Sequence, residues 1–146
     1  PGATVVFSDE DLQTLPEHAH YGVVSQTTQP IEFVSKLVQR MVKHFPGRKF
    51  EFIDTVCQPT KDRQNALKEL CEKVEVLIVV GGRNSNNTHR LASTAESYGV
   101  TAHRVSRASD LDVQWLRGVT QVGVTAGTST LQETVDEVCA ALRLMT

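Results

Sequence analysis

No apolar run in this 146-residue chain approaches the roughly 20 residues that a membrane-spanning helix needs. The longest, residues 76–80, has the length of a strand. The opening residues, Pro1-Gly2-Ala3-Thr4, show no basic segment followed by an apolar one, so no secretory signal is expected. Pro1 is an unusual first residue, expected after removal of Met or in a piece of a longer protein. Cysteine is scarce and odd in number: Cys57, Cys71 and Cys139 form no close pair. That is a poor disulfide framework and fits a reducing compartment, so a soluble, cytoplasmic protein is expected. Aromatic residues make up only 5% and do not interleave with Lys and Arg, and the net charge is −2. Both observations argue against nucleic acid as the main partner. The single basic stretch, residues 40–49, lies at an expected helix end, where cations complement the dipole.

What is present is a regular alternation. Hydrophobic residues form 40% of the chain, enough for a core. Strand-length apolar runs at 4–7, 21–25, 50–56, 75–80, 101–105 and 120–124 alternate with helix-period segments. Ser8 followed by Asp9, Glu10 and Asp11 reads as an N-cap with an acidic first turn. Pro30 opens a helix in which Ile31, Val34, Leu37, Val38 and Met41 share one face, and Pro46-Gly47 ends it. Further helices are expected after the turn at 57–60 as far as residue 73, at 86–98, at 110–117 and at 129–144. This order predicts an α/β fold of mostly parallel sheets flanked by helices. If there are two units, the boundary is expected at 48/49, giving 1–48 and 49–146.

Ligands of parallel α/β sheets bind where strands end and helices begin. Three such junctions are chemically loaded, and all three are expected on one sheet edge. Gly81-Gly82-Arg83-Asn84-Ser85-Asn86-Asn87-Thr88 follows the strand ending at Val80. Its glycines allow a tight turn, and its polar side chains fall where the next helix exposes unpaired N–H groups. Together these make an anion site; an ordinary N-cap would need one such residue, not five. Ala126-Gly127-Thr128-Ser129-Thr130 repeats the logic after the last strand. Neither turn matches the dinucleotide or Walker pattern, so NAD and ATP are not inferred. Gln26-Thr27-Thr28-Gln29-Pro30 is the third, and by itself it reads as a helix cap.

Cys57 stands just past a strand end at a helix start, a setting that suits a nucleophile or soft-metal ligand. A buried, inert thiol is an equal alternative there. No His or Cys lies at zinc-ligand spacing around it, and Cys71 and Cys139 sit among apolar helical neighbours. His18, His20, His44, His89 and His103 are scattered, and none is expected to be a catalytic base.

Four strings occur in order: Gln26-Thr27-Thr28; Asp54-Thr55-Val56-Cys57 with Thr60 and Arg63-Gln64; Val79-Val80-Gly81-Gly82 with Asn84-Ser85 and Asn87-Thr88; and Gly123-Val124-Thr125-Ala126-Gly127 with Ser129-Thr130. Together they resemble the 4-hydroxy-3-methylbut-2-enyl diphosphate reductase family of the non-mevalonate isoprenoid pathway. The resemblance implies reductive removal of an allylic hydroxyl to give isopentenyl and dimethylallyl diphosphate. It also implies a 4Fe-4S iron–sulfur cluster held by three cysteines, with Cys57 as the third ligand. Ser85, Asn86, Asn87 and Ser129 would bind the substrate diphosphate. Thr27 and Thr28 would line the cavity near the hydroxyl, with Thr27 in the proton relay. A ferredoxin or flavodoxin electron donor is implied in the same way, as is a bacterial cytoplasmic or plastid location.

The family commonly has Ser where this chain has Asn86, and Pro where it has Leu131. The resemblance further implies that the chain corresponds to part of the second and all of the third of three α/β units. The other two cluster cysteines, three substrate-binding histidines and the proton-donating Glu would lie in the missing N-terminal portion, so the chain alone is expected to be inactive. A half that pairs with a separately encoded partner, and a non-catalytic module holding a phosphorylated metabolite, are the alternative expectations.

Overall fold

The computed structural model describes residues 2–145. The chain is α/β, and its contacts divide it into two compact units, one through Gln64 and one from Asn65.

The first unit holds α1 (Asp9–Gln13), β1 (His20–Val24), α2 (Ile31–His44), β2 (Lys49–Ile53) and the start of α3 (Gln58–Cys71). β1 and β2 pair in parallel, from His20 opposite Lys49 to Val24 opposite Ile53. Tyr21 fastens this sheet. Its ring lies 5.0 Å from both Phe45 and Phe50, stacked on the latter at 9°. Its hydroxyl donates to the Pro16 carbonyl at 3.0 Å and accepts from the His18 N–H at 2.9 Å. An aromatic ring with a satisfied hydroxyl can be buried at no polar cost. α2 turns Val34 and Met41 inward, as its periodicity predicts. Gly47, at φ 77, makes the left-handed turn that follows it.

The second unit holds β3 (Val76–Val80), α4 (Asn86–Ser97), β4 (Thr101–Val105), two 3-10 turns (Ala108–Asp110 and Val113–Leu116), β5 (Val122–Ala126) and α5 (Gln132–Met145). Its sheet is parallel throughout in the order β4-β3-β5. Alternate residues of β3 face opposite sides. Leu77 and Val79 pack with Ala92 and Ala95 of α4 and with Leu67 and Cys71 of α3. Val76, Ile78 and Val80 pack with Val138 and Leu142 of α5 and with Leu116. Every β3 residue is buried, each contributing about 1.5–3 kcal/mol of transfer free energy. α4 and α5 therefore cover opposite faces of one sheet.

Several sequence expectations shift. The three loaded junctions belong to two sheets rather than one, since the turn at Thr27 and Thr28 follows β1. The contacts divide the chain at 64/65, and the ladder to β1 holds β2 in the first unit. Residues 4–7 form no strand; Val5 and Phe7 are exposed, and the Phe7 and Ser8 N–H groups donate to Asp11 Oδ2, both at 2.8 Å. That segment leads into the capping box of Ser8 and Asp11 instead. The helix expected at 110–117 is two 3-10 turns. Asp110 accepts from the Ser106 N–H and Asp112 from the Gln114 N–H, both at 2.9 Å, in competition with a continuous helix. α5 begins at Gln132, three residues later than expected, because Thr130 N–H closes a turn onto the Gly127 carbonyl at 2.9 Å.

Candidate functional site: two polar turns and an exposed thiol

The second unit brings Ser85, Asn87 and Ser129 to one edge of its sheet. β3 and β5 are neighbours in parallel register, so the turns that leave Val80 and Ala126 lie side by side. The Gly127 N–H donates to the Val80 carbonyl at 2.9 Å, and the Thr130 hydroxyl donates to the same oxygen at 3.1 Å. The Gly81 N–H reaches the Val105 carbonyl at 2.8 Å. Ser85 is the N-cap of α4, its Oγ accepting from the Thr88 N–H at 3.3 Å. The Asn87 amide reaches Thr128 Oγ1 at 3.4 Å, bridging the two turns. Asn86, the first residue of α4, is exposed. Ser129 is exposed too, on the turn before α5 rather than in its first helical turn.

This is the place where an α/β sheet offers a crevice. From the strand ends of β3 and β5 the chain departs to α4 on one face and α5 on the other. The N-termini of α4 and α5 follow these two turns, and a helix N-terminus is a setting that stabilises negative charge. Asp110 braces the flank: it accepts from the Ser106 hydroxyl at 2.6 Å and pairs with Arg83 and Arg107, each at 3.4 Å. The Ser106 hydroxyl and N–H, followed by the two arginines, hold its carboxyl well below the ordinary range.

The first unit brings Thr27 and Cys57 together. Cys57 N–H donates to the Thr27 carbonyl at 3.1 Å, so the β1–α2 and β2–α3 turns are tied at the residues that sequence singled out. Thr55 tightens the same join. Its hydroxyl donates to the Ser25 carbonyl and accepts from the Ser25 N–H at 3.0 Å. Gln64 completes it, accepting from the Ile31 N–H at 2.9 Å and donating to the Gln29 carbonyl at 3.1 Å. A side chain from α3 thus caps α2, whose own N-cap, Pro30, makes no side-chain cap bond. The side chains of Thr27 and Thr28 are exposed.

Cys57 is exposed, immediately before α3. Its Sγ lies 3.0 Å from Thr60 Oγ1. The Thr60 hydroxyl, then the Thr60 and Cys57 backbone N–H groups and the Arg63 charge, hold the thiol below its ordinary value. Lys61 closes the loop on Asp54 at 2.6 Å. The buried alternative for Cys57 therefore falls, whereas Cys71 is buried with its thiol pushed up.

Residues 1–143 match the family described as LytB protein. The chain belongs to the LytB protein family. Among curated LytB relatives, the 4-hydroxy-3-methylbut-2-enyl diphosphate reductase of a Geobacter species is 40% identical over 134 residues, covering 92% of this chain and 47% of the relative. The reductase of Colwellia psychrerythraea is 34% identical over 146 residues, covering 97% of this chain and 47% of the relative. The chain thus spans about half the length of the curated relatives it matches. A solved (E)-4-hydroxy-3-methyl-but-2-enyl diphosphate reductase, the terminal enzyme of the non-mevalonate pathway, is similar at TM-score 0.58 and 32% identity, over 93% of this chain and 46% of that one. The Plasmodium falciparum E-1-hydroxy-2-methyl-but-2-enyl-4-diphosphate reductase aligns at TM-score 0.78 and 27% identity, over 94% and 44%.

In this LytB chain no group of three or more His, Cys, Asp or Glu capable of holding a metal occurs among the described residues. Cys57, exposed and thiolate-prone, fits one ligand position of an iron–sulfur centre and no more. No helix among the described residues is long and apolar enough to cross a membrane. Thr55, Gln64 and Thr130 were visible in the motif strings without a role. Their signal was their position beside a turn; their partners lie 30 to 50 residues away.

Proposed function

We propose that this LytB chain supplies the diphosphate grip and one cluster thiolate of a 4-hydroxy-3-methylbut-2-enyl diphosphate reductase. The observation that carries the proposal is the pairing of two turns, bearing Ser85, Asn87 and Ser129, on adjacent parallel strands. In the proposed reaction the allylic C–O bond breaks, two electrons and two protons enter, and water leaves with isopentenyl or dimethylallyl diphosphate. A 4Fe-4S cluster, when bound, would supply the electron-transfer chemistry that protein side chains lack. Cys57 Sγ would be one of its ligands here. A ferredoxin or flavodoxin would be the electron donor.

The chain's own residues divide the remaining work by unit. In the second, the Ser85 and Ser129 hydroxyls and the Asn86 and Asn87 amides donate to phosphate oxygens, aided by the free N–H groups of α4. That binding is remote from the breaking bond, so it orients the substrate and restricts its motion. In the first, Thr27 Oγ1 passes a proton toward the departing oxygen and Thr28 lines the cavity. The Cys57–Thr27 backbone bond keeps thiolate and relay in fixed relation.

The test uses the full-length protein and titration with inorganic pyrophosphate. Ser85→Ala and Ser129→Ala should each weaken binding by about tenfold, the worth of one hydrogen bond to a charged group. Unchanged affinity in both variants sinks the assignment. Cys57→Ser should abolish the cluster absorbance while leaving pyrophosphate binding in place.

A further inference from the structure

The second unit buries one polar side chain that diphosphate binding as described leaves without work. Thr88, the third residue of α4, is 0% exposed, the one buried polar or charged residue among those described. Its Oγ1 has no hydrogen-bond partner among the described residues. The cap of α4 does not need it, since Ser85 Oγ takes the Thr88 N–H and not its hydroxyl. Thr94, on the same helix, turns its hydroxyl back to the Arg90 carbonyl at 2.7 Å, the ordinary solution for a helical threonine. Thr88 makes no such bond. Valine has the same shape and would bury no unpaired hydroxyl, so packing alone does not account for threonine here.

The direction of the hydroxyl is informative. A methyl added at Gly81 would collide with Thr88 Oγ1, and one at Gly127 would stand 3.0 Å from it. The oxygen therefore lies between the first glycine of one anion-binding turn and the glycine of the other. Thr130 Oγ1 borders the same space, 3.3 Å from both added methyls, but is already committed to the Val80 carbonyl. The neighbouring Asn87 links the two turns through Thr128. Thr88 is thus the buried point where the turn before α4 and the turn before α5 meet.

We infer that Thr88 is a positioning residue for the anion. When a diphosphate draws the two turns together, its hydroxyl takes up a hydrogen bond with a peptide group of the Gly81-Gly82 turn. Ser85 and Asn87 on one side are thereby coupled to Ser129 on the other, so that both turns close on one ligand. Glycine at 81 and 127 keeps both backbones within reach of that oxygen. The inference rests on the diphosphate reading of this site and adds the part that links its two halves.

The test compares Thr88→Val, which keeps the shape and loses the hydroxyl, with Thr88→Ser, which keeps the hydroxyl and loses the methyl. Both are made in the full-length protein and measured by calorimetric titration with inorganic pyrophosphate and by ligand-free thermal unfolding. Thr88→Val should unfold at or above the wild-type temperature yet bind about five- to tenfold more weakly, the loss of one net hydrogen bond. Thr88→Ser should unfold earlier yet bind within about twofold of wild type. A packing role alone gives the opposite pattern: a neutral valine, and a serine that loses stability and affinity together. Valine binding as tightly as wild type, or serine weakened as much as valine, overturns the inference. If Thr88→Val does not fold, Thr88→Ser against Thr88→Ala carries the same comparison, with equal affinities overturning it. Wild-type protein that does not bind pyrophosphate removes the diphosphate reading and this inference with it; wild-type binding with an unaffected valine variant removes the inference alone.

Discussion

Cys57 depends on its neighbour three residues on. The Thr60 hydroxyl at 3.0 Å is the main group holding the thiol below its ordinary value. A hydrogen bond to sulfur stabilises thiolate over thiol, so alkylation, which needs thiolate, begins at lower pH than for an unassisted cysteine. Thr60→Val should therefore move the pH midpoint of Cys57 alkylation upward, read by iodoacetamide labelling with peptide mapping. A midpoint that stays put or falls counts against Thr60. Asp110 gives a second titration. Its folded value lies below its unfolded value, so its stabilisation is fully present above about pH 4 and is lost as pH falls through the folded value. Asp110→Asn should lower the melting temperature near neutrality, with the gap to wild type closing toward pH 2. A gap of constant width from pH 7 to 2 would show that the charge is not responsible.

At the scale of elements, Ser85 has two tasks that one substitution can separate. As N-cap of α4 it accepts from the Thr88 N–H, and aspartate caps a helix as well as serine does. Aspartate, however, sets a negative charge against the diphosphate. Ser85→Asp should keep denaturant stability within about 0.5 kcal/mol of wild type, whereas Ser85→Ala should lose about 1 kcal/mol. Both should bind pyrophosphate poorly, the aspartate more so. An aspartate variant that binds like wild type would place the anion elsewhere. Much of this was readable before any coordinates. β3 announces itself by five consecutive apolar residues, α2 by its spacing, α1 by Ser8 and its acidic first turn, and α4 by the glycine-led polar turn before it. Local side-chain bonds hid the rest. Asp110 and Asp112 break one expected helix, the Thr130 turn delays another, and Asp11 draws in a segment that alternation alone would make a strand. The work of Gln64 and Thr88 was hidden for a different reason: it depends on elements distant in sequence, which a local pattern does not report.

Over the whole molecule, the two units carry different chemistry. The first has the exposed thiol and the threonine pair, and the second the paired polar turns. One thiolate cannot complete an iron–sulfur centre that takes its ligands from cysteine. These 146 residues alone, treated anaerobically with iron and sulfide, should therefore develop no stable cluster absorbance and no reductase activity. A stoichiometric cluster on the monomeric chain would overturn the ligand assignment.

The central place of β3 also bears on how the protein is made. Both of its sheet partners, β4 and β5, follow it in the chain, so a ribosome releases Val-Leu-Ile-Val-Val well before either neighbour. Until Ala126 has emerged, that segment has at least one open edge and the composition of a self-associating strand. Lys73 and Glu75 before it, and Gly81-Gly82-Arg83 after it, flank the run with the charges and glycines that oppose such association. The glycines and arginine that open the polar turn in the finished fold thus also close off the apolar run while the chain is still growing.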